Sequence, residues 1–452
     1  MKKILSTLLF IIAAVSIDSL QAQPYNAEFF AKNPDCAGGI YYTYRFTNPP
    51  QTAVPKGYKP FYVSHFGRHG SRWHDSKGVY SMPVDMFRAA SEANALTERG
   101  KVLYRELSDI AKRAKGREGE LTPQGVSEHR GIAERMFHNF PHLFRGGDKH
   151  VLCFSSAAPR CILSMAAFDE RLKEINPKLD ITRIVNDSVQ VFTRAQRGIK
   201  SIHSQGIKLT NPLINNAIVE IMEDALPHLI NAEFIAEYRR KDDNLYRKSV
   251  RSLYYLSLVM QTSEGDYRYG DIFTPEQVAK VWEQINKQRY MLYGASLSSG
   301  DVVLGDGANL VKEIVRDADA YIADVDANRA DRSATLRFGH DYTVIASLAA
   351  MQVEGLSART DDLDNLKDVW ADFHISPMAA NLQFIFYRNG AGKILVKLLH
   401  NEAECRFPIE SQTAPYYEWS KLRDYLLQRI DEIGDLEKVK RLPKNRFHYV
   451  GM

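Results

Sequence analysis

The stretch SHFGRHGSRW, residues 64 to 73, sets two histidines and two arginines among two glycines, directly after the apolar run Phe61-Tyr62-Val63. Two further stretches, Ser155 to Arg160 and Gly339 to Asp341, carry the same kind of chemistry. Together they supply Arg68, His69, Arg72, Arg160, His340 and Asp341. Arginine in this number suits a tetrahedral oxyanion, because its planar fork makes bidentate hydrogen bonds to phosphate oxygens and stays charged at every relevant pH. A histidine ringed by those cations is suited to nucleophilic attack, since they lower its pKa and keep the imidazole neutral. An adjacent carboxylic acid can then protonate the leaving oxygen. Gly67 and Gly70 let the backbone turn sharply and approach a ligand closely.

Other polar residues near these stretches have blander readings. His65 precedes His69 by four positions, a zinc-binding spacing on a helix, but Gly67 and Gly70 argue against a helix there, and His65 is read as a structural strand residue. His340-Asp341 as a metal pair needs further His and Asp ligands on helices, and none stands at convincing spacing. His74 and Lys77 follow the loop as candidate substrate contacts, with an ordinary surface loop as the alternative. Arg337 either faces the site or solvates a strand end. Arg239, Arg240, Lys241, Arg247, Lys248 and Arg251 read as a solvated helix face that could also steer anions.

These residues must be positioned by a sheet. The stretch PFYVSHFG reads as one strand, HVLCFSS (His150 to Ser156) as a second, and SATLRFGHD (333 to 341) as a third. Helices alternate with them: Thr122 with Pro123 is an N-cap followed by a first-turn proline, and APRCILSMAAFDERLKEI has helical apolar spacing. Strand, helix, strand, helix implies an α/β fold, a doubly wound, mainly parallel sheet flanked by helices, in which ligands bind beyond the carboxyl ends of the strands. Gly390-Ala391-Gly392 between NLQFIFYRN and KILVKLLHN signals a hairpin. Residues 24 to 57 lack periodicity and read as an irregular segment on the surface. Between about 205 and 325 strand-like runs vanish and long helical patterns take over, with Thr274, Pro275 and Gln277 arranged as a capping box. The expected domains are 23-204 with 326-452 as the α/β unit, and 205-325 as an inserted all-α cap.

A chain of 452 residues with 44% hydrophobic and 25% charged residues belongs to the ordinary globular class. Its net charge of +4 does not announce a nucleic-acid binder. Lys2-Lys3, the apolar run Ile4 to Ile17 and the small residue in Leu20-Gln21-Ala22 form a secretory signal peptide over residues 1-22. A membrane anchor needs about 17 to 25 apolar residues, and Asp18 stops this run early. Export to the periplasm or medium of a bacterium is expected, with no stable membrane insertion after cleavage. Cys36, Cys153, Cys161 and Cys405 permit disulfides in an exported chain, and buried free thiols equally.

The motifs resemble those of the histidine phosphatases. RHGSR matches the family's R-H-G-x-R signature, LTPQG its L-T-x-x-G helix start, Arg160 in SSAAPRC its third phosphate arginine, and GHD the H-D motif of its acid phosphatase and phytase branch. Their order matches too, over nearly the whole mature chain. The resemblance implies that His69 is a nucleophile forming a phosphohistidine, that Arg68, Arg72, Arg160 and His340 bind the transferred phosphoryl group, and that Asp341 donates the proton. It implies no metal and no organic cofactor. It departs where the branch continues R-x-P-T, since Trp73, His74, Asp75 and Ser76 follow Arg72 here. Exported bacterial multiple inositol polyphosphate phosphatases look similar around the nucleophile, but commonly carry H-A-E in place of His340-Asp341. The expected substrate is a small phosphorylated molecule, foremost an inositol polyphosphate such as phytate. A broad acid phosphatase for sugar phosphates or nucleotides, or a phosphate-binding protein without turnover, are the alternatives.

Overall fold

A computed structural model describes residues 25–147, 149–195, 197–263 and 272–434. The expected signal peptide, residues 1-22, lies outside them. The chain builds one eight-stranded sheet from β1 (Lys59–Arg68), β2 (His150–Ser155), β3 (Asp180–Ile184), β4 (Ala334–Gly339), β5 (Asn381–Arg388), β6 (Ile394–His400), β7 (Ala403–Glu404) and β8 (Tyr417–Glu418). The order is β3-β2-β4-β1-β5-β6-β7, with β8 also paired to β6.

The sheet has two halves of different sense. β3, β2, β4 and β1 run parallel, and the inner strands β4 and β1 are largely buried, as a parallel sheet requires. β5 joins β1 antiparallel and turns into β6 through the expected hairpin, where Gly392 has φ 79°. The α/β expectation therefore holds, with the parallel pattern confined to four strands, three of which (β1, β2 and β4) carry the motifs. β3 escaped sequence reading because DITRI alternates as a half-exposed edge, without the apolar run of a central strand.

On one face Ile132, Phe137, Phe168 and Leu336 pack together; on the other Phe66, Leu310, Val344 and Phe384 do. Thr122 caps the helix Pro123–Asn139 and the Thr274–Gln277 capping box opens the helix Pro275–Tyr293, both as expected. Between 205 and 325 the described residues hold helices and no named strand. There Arg239 pairs with Glu223 and Asp243, Arg247 with Asp243 and Lys241 with Glu237, so half of the basic cluster is engaged in surface ion pairs. Arg337 is likewise structural: it is fully buried, bonded to Ser64 Oγ at 2.8 Å and to Asp317 at 2.8 Å.

One expectation is overturned in part. Residues 25–44 are not a surface lead-in: Phe30, Cys36 and Ala37 are buried against Trp282 and Phe373, and residues 36–41 run through the interior, while 45–57 are irregular and mostly exposed, as expected. The aromatic and small residues of 25–44 lack helical or strand period because they fill a seam between elements rather than one face. All four cysteines are buried free thiols. No helix among the described residues is long and apolar enough to cross a membrane.

Candidate active site

In register, Arg68 of β1 pairs with Gly339 of β4, and Ser155 of β2 with Phe338 of β4. Three adjacent parallel strands therefore end at one level, and the three polar stretches emerge side by side.

The loop after β1 is fixed at each backbone group. The His69 N–H donates to Gly339 O at 2.9 Å, and the Ala379 N–H to His69 O at 3.1 Å. The Gly70 N–H donates to Ser164 Oγ at 3.1 Å, and Ser71 O accepts from the Thr122 N–H at 2.9 Å. The helix Pro123–Asn139 can come this close only because of two glycines. A Cβ on Gly70 would lie 2.6 Å from Gly125 O, and one on Gly125 2.3 Å from Ser71 O.

Glu128, buried on that helix, is the anchor that sequence reasoning missed. Its carboxylate accepts the Ser71 N–H at 2.8 Å, the Ser71 hydroxyl at 2.7 Å and the Tyr44 N–H at 3.2 Å. Burial pushes its pKa up, and the bonds from Ser71 and Tyr44 work against that. Glu128→Ala leaves three buried donors unpaired, at about 1–3 kcal/mol each. It is expected to lower the urea midpoint clearly and to cut kcat on the order of 10²-fold as the loop loosens, measured by denaturation and steady-state kinetics on the same preparation.

The His69 ring donates from Nδ1 to Gly70 O at 2.9 Å, since a carbonyl can only accept. That tautomer leaves the lone pair on Nε2. Burial first, then Arg68, Arg160, Arg72 and His340, hold the ring's pKa well below the usual value. Arg68 is anchored by Ile40 O at 2.6 Å and Ser376 O at 2.7 Å. Arg72 bonds Trp73 O at 3.0 Å, and its guanidinium lies 5.6 Å from the centre of the Tyr41 ring. Arg160 sits in the first turn of the helix Pro159–Ile175. All three arginines keep a buried Nε without a protein partner, as expected of groups that await an anion.

His340 immediately precedes the helix Asp341–Ala350; its Nε2 lies 3.1 Å from Ser156 Oγ, and its ring stacks on Tyr342 with centroids 5.2 Å apart. The His69 and His340 rings are 5.8 Å apart. Burial and Arg160 push the His340 pKa down to about 3. Asp341 opens the helix beside them. Burial raises its carboxyl, but Arg68, Arg289, His340 and Arg72 together hold it below the usual carboxylate value.

Arg289 is a second residue that sequence reasoning missed. It shares a face of the helix Pro275–Tyr293 with Trp282, Asn286 and Tyr293. Trp282 Nε1 donates to Asp372 at 3.0 Å, and Asn286 accepts the Asp372 N–H at 2.8 Å. The Arg289 Nε is buried without a partner. The i, i+4, i+7, i+11 spacing of these four was the signal available.

Arg68, His69, Arg72, Arg160, His340 and Asp341 thus converge. His74 lies at their edge with its Nδ1 accepting the Ser76 N–H at 3.0 Å; burial and Arg72 lower its pKa to about 4, so it is neutral. Lys77 is exposed at the start of the helix Lys77–Glu92. His65 is buried in β1 between Phe168 and Phe338, with ring centroids 5.3 and 5.4 Å away. Among the described residues no group of three or more His, Cys, Asp or Glu side chains could hold a metal ion. The assembly offers guanidinium and imidazole donors to a tetrahedral anion, a free imidazole nitrogen and a carboxyl group, which is the equipment of phosphoryl transfer.

Comparison with known proteins agrees with this chemistry. A family model described as histidine phosphatase superfamily (branch 2) matches residues 63–401. Two solved structures of the Bifidobacterium longum multiple inositol polyphosphate phosphatase share the fold. The complex with inositol hexasulfate has a TM-score of 0.69 at 18% identity, over 86% of this chain and 97% of that one. The complex with phosphate has a TM-score of 0.64 at 19% identity, with the same coverage. The phytase from D. castellii has a TM-score of 0.60 at 16% identity, over 88% of this chain and 85% of that one. No curated protein matches the chain.

Proposed function

Because this chain belongs to the histidine phosphatase superfamily, branch 2, and is a phosphoric monoester hydrolase, we propose that it works through a phosphohistidine on His69, with inositol polyphosphates such as phytate as substrates. Arg68, Arg72, Arg160 and His340 hold the scissile phosphate and neutralise its charge. His69 Nε2 attacks phosphorus in line, the P–O bond to the leaving group breaks, and Asp341 gives its proton to the departing oxygen. Water then attacks the phosphohistidine while the Asp341 carboxylate takes its proton. The P–N bond breaks, inorganic phosphate leaves, and both residues return to their starting state.

The observation that carries this reading is the free Nε2 of His69 at the centre of three arginines with unpartnered Nε atoms. The fold shared with an enzyme solved with inositol hexasulfate and with phosphate supports the choice of substrate. Sugar phosphates or nucleotides form the second reading. Tyr41 and Tyr255 favour it, flanking His74 with ring centroids at 6.0 and 6.4 Å and offering stacking surface. We further propose that residues 205-325 form a cap inserted into the α/β unit, and that the chain is exported through the segment 1-22 to the periplasm or medium.

The test is phosphate release from a panel of phytate, sugar phosphates and nucleotides, with products separated by chromatography. Phytate is expected to lead in kcat/KM; leadership by a nucleotide or sugar phosphate moves the conclusion to the second reading.

A further inference from the structure

The family resemblance fails directly after Arg72, and the residue of interest there is Asp75. It stands in the loop between β1 and the helix Lys77–Glu92, with its side chain 57% exposed. Its carboxylate is 3.9 Å from Arg72 Nη2 and 3.5 Å from His74 Nδ1. The His74 nitrogen already accepts the Ser76 N–H, so it carries no proton for Asp75. Across the opening, a Cβ on Gly119 would lie 3.7 Å from the Asp75 Cβ and 3.9 Å from Arg160 Nη1. Asp75 therefore lies beside Arg72 and near Arg160, at the exposed edge of the phosphate locus. Burial raises its pKa, but Arg72 foremost and Arg160 outweigh this and keep it below the ordinary value.

A carboxylate is an odd neighbour for an anion site. It weakens the attraction that Arg72 and Arg160 exert beyond the scissile phosphate, while an ionised carboxylate remains a strong acceptor for a hydroxyl. Resting on the reading that this locus binds the scissile group, we infer that Asp75 is a specificity-determining residue: it accepts a hydrogen bond from a hydroxyl beside the scissile ester and repels a second phosphate at that place. Asp75 thereby narrows the lead of fully phosphorylated rings over inositol or sugar phosphates with a free neighbouring hydroxyl, without reversing it. Such rejection of one ligand by a placed like charge is how a site discriminates without new attractive contacts.

The test compares kcat/KM for myo-inositol 1-phosphate and inositol hexakisphosphate in the wild type, Asp75→Asn and Asp75→Glu. Asp75→Asn is expected to shift the ratio at least ten-fold toward the hexakisphosphate, chiefly through KM, and Asp75→Glu, which keeps the charge, to stay near the wild-type ratio. An unchanged ratio in Asp75→Asn, or an equal shift in both variants, overturns the inference. Competition against p-nitrophenyl phosphate hydrolysis separates this from a failure of the inositol phosphate reading. Even if neither inositol phosphate is turned over, Asp75→Asn should strengthen inhibition by pyrophosphate at least ten-fold more than inhibition by orthophosphate. Equal strengthening of the two overturns the role of Asp75.

Discussion

Replacing His69 with alanine is expected to remove turnover, by on the order of 10⁴- to 10⁶-fold in kcat, as the loss of a nucleophile does elsewhere. The size of the effect follows from what else the ring does. Its Nδ1 is committed to Gly70 O, so Nε2 is the nitrogen left to attack. In the proposed mechanism the arginines and His340 hold phosphate without it, so KM should change far less than kcat. The backbone bonds from His69 to Gly339 and from Ala379 to His69 do not involve the side chain. The variant should therefore fold, with an unfolding midpoint near that of the wild type. Rapid quench into alkali, which preserves phosphohistidine, should trap label on the wild type and none on His69→Ala. Retained turnover by a folded His69→Ala protein would falsify the nucleophile assignment.

Asp341→Asn should slow hydrolysis by on the order of 10²- to 10⁴-fold, the range for a general acid, and the loss should depend on the leaving group. p-Nitrophenolate departs without help, so p-nitrophenyl phosphate should lose least and an alkyl phosphate most. The pH dependence has a definite sign. The acid is needed protonated, and Arg68, Arg289, His340 and Arg72 hold its pKa down against burial in the free enzyme. kcat/KM, which reports the free enzyme, should therefore rise as pH falls through the acid range. A bound phosphate dianion offsets those same cations and raises the carboxyl pKa, so the basic limb of kcat should lie at higher pH than that of kcat/KM. His69 does not oppose this at the acid end, because its own pKa is held far below the usual value and the ring stays neutral. In Asp341→Asn the basic limb should disappear from both profiles; a limb that persists assigns the proton to another group.

What the sequence made legible was local chemistry. R-H-G-x-R, the arginine after SSAAP and the H-D pair each place their side chains within a few residues of a strand end, so fold and function could be read together. The supports were not legible, because their roles arise only in tertiary contact. Glu128 looks like any helical glutamate until its helix is brought under Ser71, and Ile40 is an apolar residue whose contribution to Arg68 is a carbonyl. Residues 25–44 show no clear period because they line a seam instead of covering one face. Asp75 was visible only as a mismatch; its meaning came from its distance to Arg72.

The position of β4 has a consequence for how the chain reaches activity. It lies between β1 and β2 in the sheet, yet it follows them by the whole stretch of helices, so the two earlier strands have no contact register with each other until residues 334 to 339 arrive. A growing chain that has already made Arg68, His69, Arg72 and Arg160 still lacks the strand that sets β1 and β2 in register, and it also lacks the residues that follow β4. Pairings so distant in sequence form late in folding. The site is complete only once β4 and the residues after it have been made, and no N-terminal fragment stopping short of β4 should have any phosphatase activity.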